Sequence, residues 1–343
     1  MSSNIRANNV DTDIVALGAG FLQDDEREMV YPQIPRVLVR SIIDNYGKTT
    51  YRVPSLGFGQ HRGGGNALWV PGQSIGDGVA PGEAEVTCSP KNKKSDVISQ
   101  IRGSQSRIEY FRNALPSLTS QIATGVEYDL LEFCVNTTVF GSAKTFSGAA
   151  LDTLDLGNQR PVQDIQGNLK SLRPYQKGKH QLWCIMDFAT ADVLATRPEY
   201  AQNANVQTTA AGGNVIGGQD RDAFLASFKR VHRLDKVLVS NCARNTAADG
   251  ATKVVVAGSA VLWFGIIDTR NQATDLRGGN PDALIAPGGA LLMADADPSG
   301  FRTWEDGAVN GRTPFWLSRE YSFVSPYGGD MACFYAGTDI RAN

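Results

Sequence analysis

The sequence predicts an α+β fold that begins with two extended N-terminal segments. Three observations support this prediction. Apolar residues recur at helical spacing over 117–140, helix and strand patterns alternate between about 160 and 300, and residues 44–103 place strand patterns around a glycine-rich centre. A chain of 343 residues can also bury a substantial core without a disulfide or a structural metal ion.

Residues 1–40 are predicted to form an extended arm. Pro32 and Pro35 lie three residues apart, and each proline fixes its own φ angle and disfavours helix at the residue before it. The segment holds only short apolar stretches beside the acidic cluster at 24–26, so it cannot form a core of its own. We therefore expect the arm to lie on another surface, supplied by sister copies of the same molecule.

Residues 41–103 are predicted to form a long β-hairpin. Strand patterns run from Tyr46 to Val53 and from about Glu85 to Ile101, with many glycines over 57–82. Disorder is the alternative that composition alone leaves open. At ~3.3 Å per residue, each side of about 25 residues could span at most about 80 Å. Such a hairpin is long enough to reach across an adjacent subunit.

A long helix is predicted over 117–140, where it would form the spine of a domain. Pro116 and Ser117 give a start signal, with Ser117 as the N-cap. At 1.5 Å per residue the helix would be about 36 Å long. The apolar residues that recur at helical spacing are Leu118, Ile122, Val126, Leu130 and Cys134.

The remaining elements are short. We expect helices over 164–172, 189–197 and 223–229, and a flexible loop over 203–219. Strands are predicted over 181–186, 236–240, 253–257, 260–267, 290–294, 315–324 and 331–335.

Composition excludes several classes of protein. Lys and Arg total 33 against 35 for Asp and Glu, so the net charge of −2 is a poor match for a dedicated nucleic-acid binder. The five cysteines lie far apart, which gives no metal-ligand spacing and suits a reducing cytosol. The N-terminus has no signal-peptide pattern, and the longest apolar stretch, Val254–Ile267, is too short for a membrane span. No membrane partner is therefore expected.

Searches for catalytic and metal-binding motifs give weak matches only. The string Gly72–Gly76 fits GxSxG, but it lacks the strand and helix that a nucleophile elbow needs. His61, His180 and His232 are predicted to be surface histidines, because neighbouring positive charge opposes metal binding. Asp295 to Asp306 resembles a calcium loop; a solvated turn is favoured, and calcium binding stays open. No enzyme, cofactor or metal site is predicted.

Four segments carry a family resemblance: Val30–Val37, Ala80–Ala84, Val237–Gly250 and Ala260–Gly265. In the same order, they resemble parts of the major capsid protein of tailed bacteriophages with the Hong Kong 97-type fold. Val30–Val37 is similar to that family's arm-to-loop string, and Ala80–Ala84 to an Ala-Pro-Gly-x-Ala element of its extended loop. Val237–Gly250 resembles a strand followed by Tyr-Asn-Thr-Ala and a glycine turn, with Arg244 where tyrosine is common. Ala260–Gly265 resembles the next strand.

The resemblance implies a domain layout and a set of contact residues. The arm would be 1–40, the extended loop 41–103, the peripheral domain 104–165 and 301–343 with a spine helix at about 117–140, and the axial domain 166–300. The residues expected to contact neighbouring subunits are Tyr31, Pro32, Pro35, Leu68, Trp69, Val70 and Pro81.

The resemblance also implies a function. Copies of the chain would assemble in the host cytoplasm into hexamers and pentamers of an icosahedral virion shell around double-stranded DNA. Scaffold, portal and decoration proteins would be further partners, and the packaged DNA would be contacted non-specifically. Two alternatives remain: a cytosolic α/β enzyme with 44–103 as an active-site lid, and another virion part such as a tail tube or a decoration protein.

Overall fold

The structure is a computed structural model that describes part of the chain. The described residues are 20–22, 26–27, 29–38, 50–55, 82–87, 89–98, 104–146, 161–176, 178, 180–195, 197, 200, 221–245, 255–257, 260–269, 289–295, 302–305, 312–325 and 331–336. The glycine-rich tract at 57–81, the GxSxG string, His61 and the loop predicted over 203–219 lie outside them.

The helices of the described part are α1 (Ser104–Cys134), α2 (Thr137–Phe140), α3 (Pro161–Leu169), α4 (Phe188–Ala195) and α5 (Arg221–Val231). Two 3-10 turns lie at Tyr31–Gln33 and Arg173–Tyr175. None of these helices is long and apolar enough to cross a bilayer.

The strands of the same residues form four sheets. They are β1 (Arg36–Leu38), β2 (Thr50–Ser55), β3 (Gly82–Thr87), β4 (Ser89–Ile98), β5 (His180–Asp187), β6 (Lys236–Ser240), β7 (Ala243–Asn245), β8 (Val255–Ala257), β9 (Val261–Asp268), β10 (Leu292–Asp295), β11 (Arg302–Glu305), β12 (Arg312–Val324) and β13 (Ala332–Ala336).

Helix α1 differs from the predicted spine helix at both ends. It begins at Ser104, so the start signal read at Pro116 is wrong, and the proline lies inside the helix at the cost of one backbone hydrogen bond. Burial of apolar residues on both sides of Pro116 outweighs that cost, as Leu115 and Leu118 show. The helix ends at Cys134, and Asn136 caps the separate helix α2 by accepting from the Thr138 amide at 2.9 Å.

The core sheet has the strand order β13-β9-β5-β6. Every residue of β9 is buried; the first seven are apolar or glycine, and the last, Asp268, lies beside His180. Aromatic side chains cover both faces: Phe140 packs edge-on against Trp263 at 5.9 Å, and Phe228 stacks on Phe264 at 6.3 Å. The cysteines predicted to act as small hydrophobes, Cys134, Cys184 and Cys333, are buried.

The second large sheet joins the hairpin to the body of the chain. β12 pairs with β4 over ten residues, from Arg312↔Ile98 to Tyr321↔Ser89, and on its other edge with β10 and β11. β2 and β3 pair antiparallel over six residues, from Thr50↔Thr87 to Ser55↔Gly82. Because β3 ends at Thr87 and β4 begins at Ser89, the hairpin extends directly from this sheet. Part of the predicted loop is thus paired within its own chain.

A tight turn at Gly289 and Ala290 contacts β9 of the core sheet shortly before β10 begins. Gly289 has φ +62°, and a Cβ atom there would overlap the carbonyl oxygen of Ile266. That carbonyl also accepts from the Ala290 amide at 2.8 Å. Glycine is therefore required immediately before β10.

Candidate functional site

The arm is attached to α1 through a buried carboxylate. Glu127 accepts three hydrogen bonds from backbone amides of the 3-10 turn: two from Val30, at 3.0 Å each, and one from Tyr31 at 2.9 Å. Val30, Tyr31 and Glu127 are all buried. Amides at the start of such a turn have no partner within it, so the carboxylate satisfies donors that would otherwise be buried unpaired.

Burial dominates the electrostatics of Glu127. Desolvation raises the pKa of this carboxyl above its usual value, and hydrogen bonds from Ser240, Tyr31 and Val30 oppose the shift. The carboxylate is therefore held by neutral donors from the arm and from β6. These bonds connect three separate parts of the chain at one side chain.

A second anchor surrounds Arg319 of β12. The Nη1 of Arg319 donates to Glu26 Oε1 at 2.8 Å and to the Tyr31 hydroxyl at 3.1 Å, and Nη2 donates to Asp295 Oδ2 at 2.9 Å. The Tyr31 hydroxyl donates to Glu26 at 2.7 Å. We call Glu26, Tyr31, Glu127, Asp295 and Arg319 the arm clamp.

Acidic partners keep the central cation of the arm clamp charged. Burial alone would lower the pKa of Arg319, but Asp295, Tyr31 and Glu26 outweigh it and raise the pKa. Burial raises the pKa of the Tyr31 phenol, with Arg319 acting against that shift. Arg36 approaches Asp295 Oδ2 at 2.8 Å from the arm side. The guanidinium therefore stays charged and the phenol stays neutral across the physiological range.

Strand pairing completes the attachment of the arm. β1 adds in parallel to β10 with Arg36 opposite Met293, and the Met293 amide donates to the Pro35 carbonyl at 2.9 Å. On the neighbouring strand, the Tyr321 hydroxyl donates to Asp129 of α1 at 2.6 Å. Arm, α1 and β12 are thereby held together at one location.

The predicted contact residues have different surroundings. Tyr31 and Pro35 are buried within their own chain, whereas Pro32 is exposed. Leu68, Trp69, Val70 and Pro81 lie outside the described residues. The expectation that the arm finds burial only on sister copies therefore does not hold for residues 30, 31, 34 and 35, because Glu127 and Arg319 provide partners from distant parts of the chain.

Two of the three histidines are not surface residues. His232 is fully buried, and its Nε2 lies 2.8 Å from the Tyr200 hydroxyl. Burial, and then the charge of Arg173, lower its pKa to about 3. Phe228 packs 4.6 Å from the imidazole, centroid to centroid. His180 is largely buried beside Asp268, with 3.5 Å between Nε2 and Oδ2.

Asp295, the first residue of the segment that resembles a calcium loop, already binds other side chains. The Asp295 carboxylate is fully buried and already accepts from Arg319 and Arg36. The rest of that loop, 296–301 and Asp306, lies outside the described residues. Within the described residues, no group of three or more His, Cys, Asp or Glu side chains could hold a metal ion.

Sequence reasoning missed Glu127, Arg319 and His232. Glu127 had a detectable signal, because it is an acidic residue on the apolar stripe between Val126 and Leu130. Arg319 likewise interrupts the alternating apolar positions 315, 317, 321 and 323 of β12. A charged residue inside an apolar pattern is buried only when it has partners, so each position indicated a distant counterpart.

No protein-family model matches the chain, and no curated protein matches it in sequence. Its fold, however, matches solved structures. A phage-related protein from Bordetella bronchiseptica RB50 superposes with a TM-score of 0.61 at 12% identity, covering 97% of this chain and 99% of that chain. A virus-like particle from Pyrococcus furiosus has a TM-score of 0.50 at 10% identity, covering 95% and 100%.

These matches define the class of fold. The chain has the fold of the phage-related protein and of the virus-like-particle subunit over nearly its full length. The predicted resemblance to a tailed-bacteriophage major capsid protein is thereby confirmed at the level of the fold. At this level of identity the match carries no residue-level roles.

Proposed function

We propose that this chain is a major capsid protein that assembles into hexamers and pentamers of an icosahedral shell around double-stranded DNA. The observation that carries the proposal is the end-to-end match with the phage-related protein, which covers 97% of this chain and 99% of that one. The virion is the corresponding location, and the host cytoplasm is the proposed place of assembly. Scaffold, portal and decoration proteins are proposed as further partners.

The hairpin supplies the reach that a shell subunit needs. β3 and β4 together run from Gly82 to Ile98 with one residue between them, and β4 is fixed to β12 over ten residues. The β2–β3 pair is therefore carried by a strand anchored in the body of the subunit. We propose that its tip, with Leu68, Trp69, Val70 and Pro81, packs on a neighbouring subunit, and that the exposed Pro32 contributes from the arm.

The arm clamp fits the same proposal. A shell subunit must hold the base of its arm in place while the segments beyond it contact other copies. Buried hydrogen bonds to Glu127 and Arg319 fix residues 26–36 to the body of the chain. The proposed layout is that of the Hong Kong 97-type fold. The arm is 1–40, the extended loop 41–103, the peripheral domain 104–165 with 301–343, and the axial domain 166–300.

The alternative of a cytosolic α/β enzyme is less favoured. The phage-related protein and the virus-like-particle subunit share this chain's fold, which supports a structural role. The GxSxG string, the only nucleophile motif in the sequence, lacks the local pattern that catalysis needs.

Electron microscopy of the purified full chain tests the proposal. Closed shells or rings of five and six subunits are expected. Helical tubes would instead indicate a tail tube, and monomers or dimers that never assemble at high concentration would contradict the capsid proposal.

A deletion of residues 57–82 sharpens the test. The variant is expected to remain soluble and to melt at the temperature of the full chain, but to form no shells, because it keeps β4 and the core while losing the hairpin tip. Normal shells from this variant would show that the tip makes no essential contact.

A further inference from the structure

A cluster of cations surrounds the C-terminal end of α5. It comes from two segments, residues 170–173 and residues 229–233, and we call it the basic turn. Lys170, Lys229, Arg230 and Arg233 are exposed, and Arg173 is half-buried. The cluster is notable because the whole chain carries a net charge of −2.

The backbone of the basic turn has an unusual residue at its key position. The Leu234 amide donates to the Lys229 carbonyl at 2.9 Å, and the Arg233 amide donates to the Arg230 carbonyl at 3.2 Å. This pattern ends a helix with one residue in the left-handed region, where glycine is favoured. Here the residue is Arg233, with φ +48°. The chain thus accepts backbone strain while keeping a guanidinium at the turn.

Side chains from the other segment fix the turn in place. Arg173 donates to the His232 carbonyl at 2.6 Å and to the Arg233 carbonyl at 3.2 Å. Gln176 also donates to the Arg233 carbonyl, at 3.1 Å, and Gln166 donates to the Val231 carbonyl at the same distance. The carbonyls of three consecutive residues are therefore occupied, and the cations are held on a rigid support.

Lys229 and Arg233 carry the positive charge of the basic turn at the surface. After burial, the charge of Arg233 is the next cause that lowers the pKa of Arg173, so the two guanidiniums repel each other. Asp235 opposes this effect, but its Oδ2 accepts from the Leu182 amide at 2.7 Å and from Gln176 at 2.8 Å. Within the described part of the chain, Lys229 and Arg233 form no ion pair.

We propose that the basic turn binds the phosphate groups of a nucleic-acid backbone. Arg233 presents a planar fork of donors that matches phosphate oxygens, and the exposed Lys229 adds a second cation on the same turn. Contacts of this kind go to the sugar–phosphate backbone and do not read base sequence, so they suit duplex DNA. This inference rests on the proposed function, because it places the basic turn on the surface that faces packaged DNA.

The test compares two double variants of the unassembled full chain with a 30-base-pair duplex, using fluorescence anisotropy over a salt series. Lys229→Gln with Arg233→Gly removes two cations of the basic turn, and the glycine suits the left-handed position. Lys144→Gln with Arg221→Gln removes two exposed cations elsewhere and is the matched control. The basic-turn variant should bind about tenfold more weakly at low salt, with the slope of log K against log salt reduced by about 2.

Three results would overturn the proposal. The first is equal affinity of the basic-turn variant and the control. The second is equal weakening by both variants, which would mean that net charge alone matters. The third is tighter binding of poly-glutamate than of the duplex, which would identify an acidic protein segment as the partner. Unchanged melting temperatures show that the folds are intact.

Failure of this proposal and failure of the capsid proposal are distinguishable. Electron microscopy of the basic-turn variant reports assembly independently of DNA binding. If the basic-turn variant forms shells and binds DNA as tightly as the unaltered chain, only the basic-turn proposal fails. If the unaltered chain does not assemble, the capsid proposal fails.

Discussion

The arm clamp and the aromatic cluster around His232 both bury an ionisable side chain, but they do so in opposite ways. Glu127 is surrounded by hydrogen-bond donors that favour its charged form, and only burial raises its pKa. His232 is packed against Phe228 and the Tyr200 hydroxyl, and the nearest charge, Arg173, also opposes its protonation. The hydrogen bonds of the clamp therefore offset part of the cost of burying a charge, whereas the aromatic cluster around His232 offers nothing that offsets it.

The largest loss of stability is expected when Arg319, the central cation of the arm clamp, is replaced. Arg319→Met should lower the free energy of unfolding by about 3–5 kcal/mol, because Asp295 and Glu26 would lose a buried partner. Denaturant unfolding measures the change. In the double variant with Asp295→Asn, the two substitutions should cost less together than the sum of their separate effects. A cost below about 1 kcal/mol for the single variant would show that the clamp contributes no stability.

The second prediction concerns the aromatic cluster. The pKa of His232 is lowered from 6.5 to about 3 in the folded chain, so the unfolded chain binds the extra proton first as pH falls. Stability is then fully present above pH 6.5 and is lost between pH 6.5 and about 3, by about 1.4 kcal/mol per pH unit.

Denaturant unfolding across that range should show a shallower slope for His232→Gln than for the unaltered chain. Identical slopes would mean that His232 can be protonated without unfolding. His180→Gln is the matched control, because it makes the same substitution at a histidine that lies outside the aromatic cluster, beside Asp268.

The third prediction concerns Glu127, whose contribution to stability changes with pH in the opposite direction to that of His232. The pKa of Glu127 is raised, so the folded chain holds its proton more tightly than the unfolded chain. The resulting contribution to stability is fully present below about pH 4.5, the pKa of this carboxyl in the unfolded chain. It is lost as pH rises through the pKa in the folded chain.

Glu127→Gln should therefore cost about 1 kcal/mol at neutral pH, where the amide group presents an extra donor to the Val30 and Tyr31 amides. The advantage of the unaltered chain should grow as pH falls toward 4.5. An advantage that shrinks on acidification would show that the charged form is the better partner for the arm. Glu132→Gln, an exposed change on the same helix, is the control.

The smallest expected effect is at the link between α1 and β12. Tyr321→Phe removes the hydroxyl that donates to the half-buried Asp129 at 2.6 Å and should cost about 0.5–1 kcal/mol. Thermal unfolding reports the change. A variant as stable as the unaltered chain would show that water replaces the hydroxyl at Asp129.

The sequence revealed the regular elements better than the anchors. β6 has the predicted bounds, and β9 and α5 lie within two residues of theirs, because each has an uninterrupted local pattern. The start of α1 was misplaced because Pro116 is a strong local stop signal, while the burial that carries the helix through it is tertiary.

The arm shows why the remainder could not be predicted. Its partners lie 96 residues away at Glu127 and 288 residues away at Arg319, and nothing in residues 26–36 identifies either one. The partner of β4 could not be predicted either. Its residues are mostly polar, and its pairing with β12 is made by backbone hydrogen bonds, which do not depend on particular side chains.

The ten-residue pairing of β4 with β12 has a mechanical consequence. A pull on the hairpin along its length loads all of these backbone bonds at once, in shear, instead of peeling them apart one at a time. β12 passes that load to β10 and β11 on its far edge, and β10 passes it to β1. Tension applied at the hairpin is thus spread across a whole sheet, and rupture requires many bonds to break together.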